Sequence, residues 1–173
     1  PSSPAVVDDT VYIGGFDYNL YALSAADGTE EWSFETGNQV RSTQVRSSPA
    51  VVDGTVYVGG TDGNLYALDA ANGTERWSFE TGNQVRSSPA VVDGTVYVGS
   101  LDGNLYALDA ADGTERWSFG TGEWVVSSPA VVDGTVYVGS HNGNLYALDA
   151  ADGTERWSFE TGEWVRSSPA VVD

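Results

Sequence analysis

The sequence predicts an all-β protein, a β-propeller of four-stranded antiparallel blades, with about four blades in 173 residues. Three observations carry that expectation. The triplet "SPA" begins at Ser3, Ser48, Ser88, Ser128 and Ser168, so the chain repeats with steps of 45, 40, 40 and 40 residues. Each repeat holds short β-branched and aromatic runs separated by Asp-Gly or Asn-Gly pairs, the chemistry of tight hairpins. One tryptophan also returns at a constant spacing from one glycine, in "ALDAADGTERW" from Ala107 and Ala147, "ALDAANGTERW" from Ala67 and "ALSAADGTEEW" from Ala22. Self-similarity near 40 residues marks architectures in which no unit buries its faces alone.

The elements follow in order within one repeat. From Ser128, "SPAVV" reads as a first strand, Asp133-Gly134 as its turn, "TVYVGS" as a second strand and His141-Asn142-Gly143 as the next link. "NLYALDA" is the third strand, Asp152-Gly153 the turn after it, "TERWSF" the fourth strand, and Thr161-Gly162 leads to the next repeat. A two-residue primed turn needs positive φ at both positions, which Asp-Gly supplies. The first three strands are apolar on both faces and must be covered on both sides. In the fourth, strict alternation puts Glu155, Trp157 and Phe159 on one face and Arg156 and Ser158 on the other, as suits an outermost strand. The expected blades are 3–47, 48–87, 88–127 and 128–167, with 168–173 as the first strand of a further blade. The long first step comes from a duplication, "QVRS" at 39–42 returning at 44–47. A solenoid would need shorter coils, and a sandwich has no reason to repeat so closely.

The repeated tryptophan is expected to rivet blades together. Trp32, Trp77, Trp117 and Trp157 would each lie where a glycine, from the set Gly28, Gly73, Gly113 and Gly153, leaves neighbouring backbone bare. Each would bury on the order of 200 Å². At about 25 cal/mol per Å² that is a few kcal/mol as an upper bound.

These residues resemble the tryptophan-docking motif of the PQQ-like β-propeller repeats, found in quinoprotein alcohol dehydrogenases and in non-catalytic relatives such as an outer-membrane assembly lipoprotein. That motif runs Ala-x-Asp-x-x-Thr-Gly-Lys-x-x-Trp. Its Ala falls on Ala22, Ala67, Ala107 and Ala147, and its Asp on Asp69, Asp109 and Asp149, with Ser24 departing. Its Gly and Trp fall on the four glycines and four tryptophans just named. The family's Thr is Asp27, Asn72, Asp112 or Asp152 here, and its Lys is Thr in every copy.

Charge narrows the function. Asp and Glu total 25 against 7 basic residues, all Arg, for a net charge of −18. Nucleic acid is excluded as a partner, since phosphate contacts need clustered Lys and Arg. Even spacing of the acids and the loss of every Lys favour a surface adapted to concentrated salt, as in an extreme halophile, over a calcium-loaded one. Runs such as "PAVV" fall far short of the roughly 20 apolar residues of a spanning helix, so no membrane insertion is expected. A start at Pro1 without Met suggests a processed or excised piece. Cysteine is absent, which excludes disulfides and thiolate metal sites.

Variation between the copies points to one face. The repeats from Ser88 and Ser128 differ only at Leu101/His141, Asp102/Asn142, Gly120/Glu160 and Val126/Arg166. The links between strands two and three, and from strand four to the next blade, carry most of the variation across all copies. In an up-and-down blade both emerge on one side of the disc. Candidate partner-binding residues there are Phe16, Tyr18, Arg86, Leu101, Trp124, His141, Trp164 and Arg166, beside Gln39 and Gln84. Exposed aromatic and Arg side chains are the usual anchors of protein recognition. Capping of the apolar channel is the alternative role for Trp124 and Trp164, and an ordinary polar residue the alternative for His141.

Catalysis is not expected. The resemblance implies, for catalytic members, an eight-bladed ring with a calcium ion, a catalytic Asp and a quinone stacked on Trp, several with adjacent cysteines. Here the acids sit at repeated turn positions. Asp109, Asp112 and Glu115 lack the spacing of a calcium loop, and neither a serine nor His141 shows an activating context. No catalytic residue, PQQ, calcium or other cofactor is therefore assigned. The expected function is a protein-binding scaffold with an unnamed protein partner, in an extracytoplasmic or cell-surface setting; a fragment of a PQQ-dependent dehydrogenase is the alternative. Closure is the last expectation: an open arc, with exposed apolar end blades able to pair two chains as a homodimer, or else a strained four-bladed ring.

Overall fold

The computed structural model describes residues 2–37 and 45–171, and in them every regular element is a strand. The first blade consists of β1 (Ala5–Val7), β2 (Thr10–Gly14), β3 (Asn19–Ser24) and β4 (Glu30–Glu35). β5 (Ala50–Val52), β6 (Thr55–Gly59), β7 (Asn64–Asp69) and β8 (Glu75–Glu80) form the second. The third has β9 (Ala90–Val92), β10 (Thr95–Gly99), β11 (Asn104–Asp109) and β12 (Glu115–Gly120), and the fourth β13 (Ala130–Val132), β14 (Thr135–Gly139), β15 (Asn144–Asp149) and β16 (Glu155–Glu160). Each sheet is an antiparallel meander in chain order, so the fold is a β-propeller of four blades. Residues 168–171, the described part of the segment expected to begin a further blade, form no strand here. A strand exists through its ladder, and no partner lies beside them among the described residues.

The two Asp-Gly turns of a repeat differ. Asp133 and Gly134 join β13 to β14 with φ of 47° and 68°, the doubly positive geometry of a two-residue primed turn. Asp152-Gly153 instead sits in a longer loop closed by Gly153 N–H donating to Asp149 O at 2.9 Å and Asp149 N–H to Thr154 O at 2.8 Å. Asp152 accepts from the Thr154 N–H and hydroxyl, an Asx turn. Just beyond it the ladder slips: Ala147 faces Trp157, yet Leu148 faces Glu155, leaving Arg156 as an extra, bulged residue. Strict alternation along the fourth strand is thereby corrected. Glu155 takes the face opposite Trp157, and Arg156 turns towards Thr135 Oγ1 and Asp149 Oδ2 on the Trp157 side. The same bulge recurs in all four blades.

Blades meet through one repeated interface. Tyr12, Leu20, Ala22 and Trp32 of the first blade pack on Val56, Val58, Tyr66 and Leu68 of the second, and equivalent sets join the second to the third and the third to the fourth. The Trp32, Trp77 and Trp117 indole N–H groups donate to Ala70, Ala110 and Ala150 carbonyls of the following blade at 3.0, 3.1 and 3.0 Å. A Cβ at Gly73, Gly113 or Gly153 would come within 2.6 Å of the indole of the preceding blade, so only glycine admits the ring. Near the axis β1 lies against β5, β5 against β9 and β9 against β13, but among the described residues no strand of the first blade touches the fourth. The blades form an open arc. Gly28 accordingly meets nothing within 4 Å. Trp157 is 46% exposed, where its three counterparts are 8% exposed.

Candidate binding face at the inner rim

The links after strands two and four do come to one side of the arc, because an up-and-down meander returns the chain there every second strand. A half-open cavity of about 320 Å³ is lined there by Arg46, Arg86, Trp124, Val126, His141 and Arg166, with Ser48, Ser88 and Ser128 along its inner edge. Those serines precede β5, β9 and β13 and stitch the rim together. Ser48 N–H donates to Ser88 Oγ at 2.9 Å, Ser88 N–H to Ser128 Oγ at 2.9 Å and Ser128 N–H to Ser168 Oγ at 3.1 Å.

His141 is held between two indoles. Its ring stacks on Trp164 at 5.1 Å with 3° between planes and tilts against Trp124 at 5.5 Å. Its backbone N–H donates to Trp124 O at 2.9 Å, while Nε2 is buried without a partner. Arg166 lies over the Trp164 ring, its Cζ 4.9 Å from the centroid, a cation–π contact. Trp124 and Trp164 remain 46% and 63% exposed.

The eight residues assigned to the face from sequence therefore divide. Arg86, Trp124, His141 and Arg166 line the cavity, and Trp164 flanks it. Leu101 does not line it: it is 6% exposed, in the seam with its N–H on Gln84 O. His141 occupies the same repeat position and is 7% exposed, so little of its side chain is accessible. Phe16, again at that position, is exposed because the described residues place no blade before the first. Tyr18 stands where the other blades have Gly63, Gly103 and Gly143, and takes the same left-handed conformation at φ 70°. That conformation costs a non-glycine residue roughly 1–2 kcal/mol. Its carbonyl accepts from the Thr36 N–H and hydroxyl, so Tyr18 serves the turn. Phe16 and Tyr18 do not line the cavity, and Gln39 lies outside the described residues. Sequence reasoning missed Arg46, Ser48, Ser88 and Ser128. The signal was present: Arg46, Arg86 and Arg166 share one repeat position, which Val126 breaks.

The acidic turn residues are already engaged. Asp109 accepts from Ala111 N–H at 2.8 Å and pairs with Arg116 at 2.8 Å, and Asp112 accepts from Thr114. The Arg116 guanidinium, then the Ala111 amide, hold the Asp109 carboxyl below its ordinary pKa. Among the described residues no group of three or more His, Asp or Glu is placed to hold a metal.

Burial first, and the Arg166 charge second, lower the His141 pKa from its ordinary 6.5, with Glu123 opposing. The unfolded chain then takes up a proton before the folded one. Stability linked to His141 is thus fully present above about pH 6.5 and is lost as pH falls from there towards the folded value. We expect the melting temperature of wild type relative to His141→Asn to decline on acidification from about pH 8 to about pH 5.5. A difference that stays constant over that range rejects this linkage.

The sixteen strands of the described residues, in four meanders joined by indoles docked on glycines, define a tryptophan-docked β-propeller repeat protein. The chain belongs to the family described as outer membrane protein assembly factor BamB, whose profile matches residues 1–88 and 62–173. No curated protein sequence matches it. BamB from Moraxella catarrhalis is similar in structure, with a TM-score of 0.83 and 22% identity over 99% of this chain and 52% of that one. A computationally designed protein gives 0.85 and 20%, covering 98% and 52%. The quinohemoprotein alcohol dehydrogenase ADHIIG of Pseudomonas putida HK5 gives 0.79 and 23%, covering 94% and 34%. The chain spans about half the length of the first of these, and a third of the last.

Proposed function

We propose that this chain is a non-catalytic scaffold module that binds a protein partner through the inner-rim face, in an extracytoplasmic or cell-surface setting. One observation carries the reading: blades that are otherwise near copies differ mainly on this face, where Trp124 stays half-exposed although the following blade packs beside it. Selection for packing alone has no use for exposed tryptophan, whereas recognition concentrates energy in such anchors. Membership of a family described as an outer membrane assembly factor supports both the scaffold role and the setting. The engaged turn carboxylates and the ring-sandwiched His141 offer no activated nucleophile.

The test is cross-linking and pull-down from lysate at native salt with wild type and a Trp124→Ala/Trp164→Ala double variant. A partner captured by wild type and lost by a double variant of unchanged melting temperature is the expected result. Equal capture by both rejects the assigned face. The dehydrogenase neighbours share the fold, and a co-purifying quinone chromophore in the near ultraviolet would overturn the non-catalytic reading.

A further inference from the structure

In a chain of net charge −18, the described residues that line the cavity at the inner rim include no carboxylate. The described arginines sort into two sets. Arg76, Arg116 and Arg156 each pair with an aspartate of their own blade, Asp69, Asp109 and Asp149, at 2.8 Å. Arg46, Arg86 and Arg166 have no ion-pair partner among the described residues, and all three line this cavity. Arg46 and Arg86 are half-buried and Arg166 is exposed; burial together with the Arg46 charge lowers the Arg86 pKa. With acids abundant elsewhere, two half-buried guanidiniums, Arg46 and Arg86, held near each other without a counter-ion among the described residues are a cost to the fold that needs an offset, and Arg166 adds a third positive charge to the lining.

The remaining polar lining is also rich in donors. Arg46 Nε is buried with no partner. Ser48, Ser88 and Ser128 each accept a backbone N–H from the preceding blade, which leaves each hydroxyl proton free to be donated. His141 Nε2 is likewise unpartnered. Among the described residues only the Arg86 Nε–H of this lining is engaged by a side-chain acceptor, Gln84 Oε1 at 2.9 Å. A concave site offering convergent donors and positive charge is complementary to oxygen acceptors carrying negative charge.

We propose that the cavity binds a compact polyvalent oxyanion, a phosphoryl or clustered carboxylate group, clamped by Arg46, Arg86 and Arg166 above the serine rim. The inference does not depend on the protein-binding reading, since neither its ligand nor its test involves a partner protein. Val126 adds a built-in control, because it occupies the fourth copy of the arginine position.

The experiment titrates the intact chain with inorganic phosphate and, separately, citrate by calorimetry and tryptophan fluorescence, against sodium chloride at matched ionic strength of about 0.1 M. One equivalent of phosphate, citrate or both should bind saturably, with chloride inert. Phosphate alone assigns a phosphoryl ligand, and citrate alone a carboxylate one. Arg46→Gln and Arg86→Gln should each weaken binding by roughly tenfold or more, the worth of a charge-assisted hydrogen bond. Arg76→Gln, which lies outside the cavity, should leave it unchanged. Val126→Arg should tighten it, and this gain keeps the test decisive where a loss variant fails to fold. Absence of saturable binding to both probes overturns the site. So does equal weakening by Arg76→Gln, which would reduce the effect to net charge, or a Val126→Arg variant that binds no better.

Discussion

Trp117→Ala is expected to destabilise the chain by about 3–5 kcal/mol, the range for truncating a buried aromatic. At roughly 2–4 °C per kcal/mol for a protein of this size, the melting temperature should fall by about 6–20 °C. Three losses coincide: the ring vacates the space over Gly153, its N–H no longer reaches Ala150 O, and the tilted contact with Tyr97 at 5.8 Å disappears. Trp157→Ala removes the same side chain at the same repeat position, but from a face that no blade covers. Trp157 keeps its contact with Tyr137 at 5.9 Å but has no receiving glycine among the described residues. Its loss should cost under about 2 kcal/mol on the area it still buries. Thermal and urea unfolding of the two variants side by side check this, and equal losses would show that docking between blades is not the source of the stability.

Thermal stability should also rise steeply with salt. At about 0.01 M the Debye length is roughly 30 Å, so the carboxylates of every blade repel one another; at about 1 M it is roughly 3 Å and the repulsion is confined to neighbours. The three described ion pairs are local, one per blade in the last three blades, and do not bridge blades. Attraction across the blade interfaces therefore comes from apolar packing and hydrogen bonds between uncharged groups, such as Trp117 Nε1–H to Ala150 O, and concentrated salt leaves it largely intact while removing the opposing term. Melting curves in KCl from low to molar concentration test this. An unchanged midpoint rejects a charge-limited fold, and rescue by micromolar calcium in dilute buffer would assign the acids to ion binding instead.

Much of this molecule is legible in local chemistry. Asp133-Gly134 announces a primed turn because few other residue pairs adopt two positive φ values in succession, and the structure has that turn. The 40-residue period and the apolar strands likewise follow from short-range rules, which is why the blades are readable one repeat at a time. Alternation failed in the fourth strand for an equally local reason: a bulge at Arg156 is invisible to a count of two, although an Arg beside the Asp of the preceding strand is what it serves.

By itself the sequence determined the number of blades from the repeat count, their meander order from residues within one repeat, and the tryptophan-glycine pairing type because both partners recur in every copy. Which copy of a repeated residue is buried was decided only by the tertiary structure. Leu101 and Phe16 share a repeat position, yet one is sealed against the Gln84 link and the other lies open. Trp117 and Trp157 occur in identical undecapeptides, and only one meets a following glycine. Arg46, Arg86 and Arg166 are 40 residues or more apart along the chain and converge because the repeat rotates about an axis that no single repeat contains. Burial is a property of the neighbour, and in a repeat protein the neighbour is the one thing that identical sequences do not share.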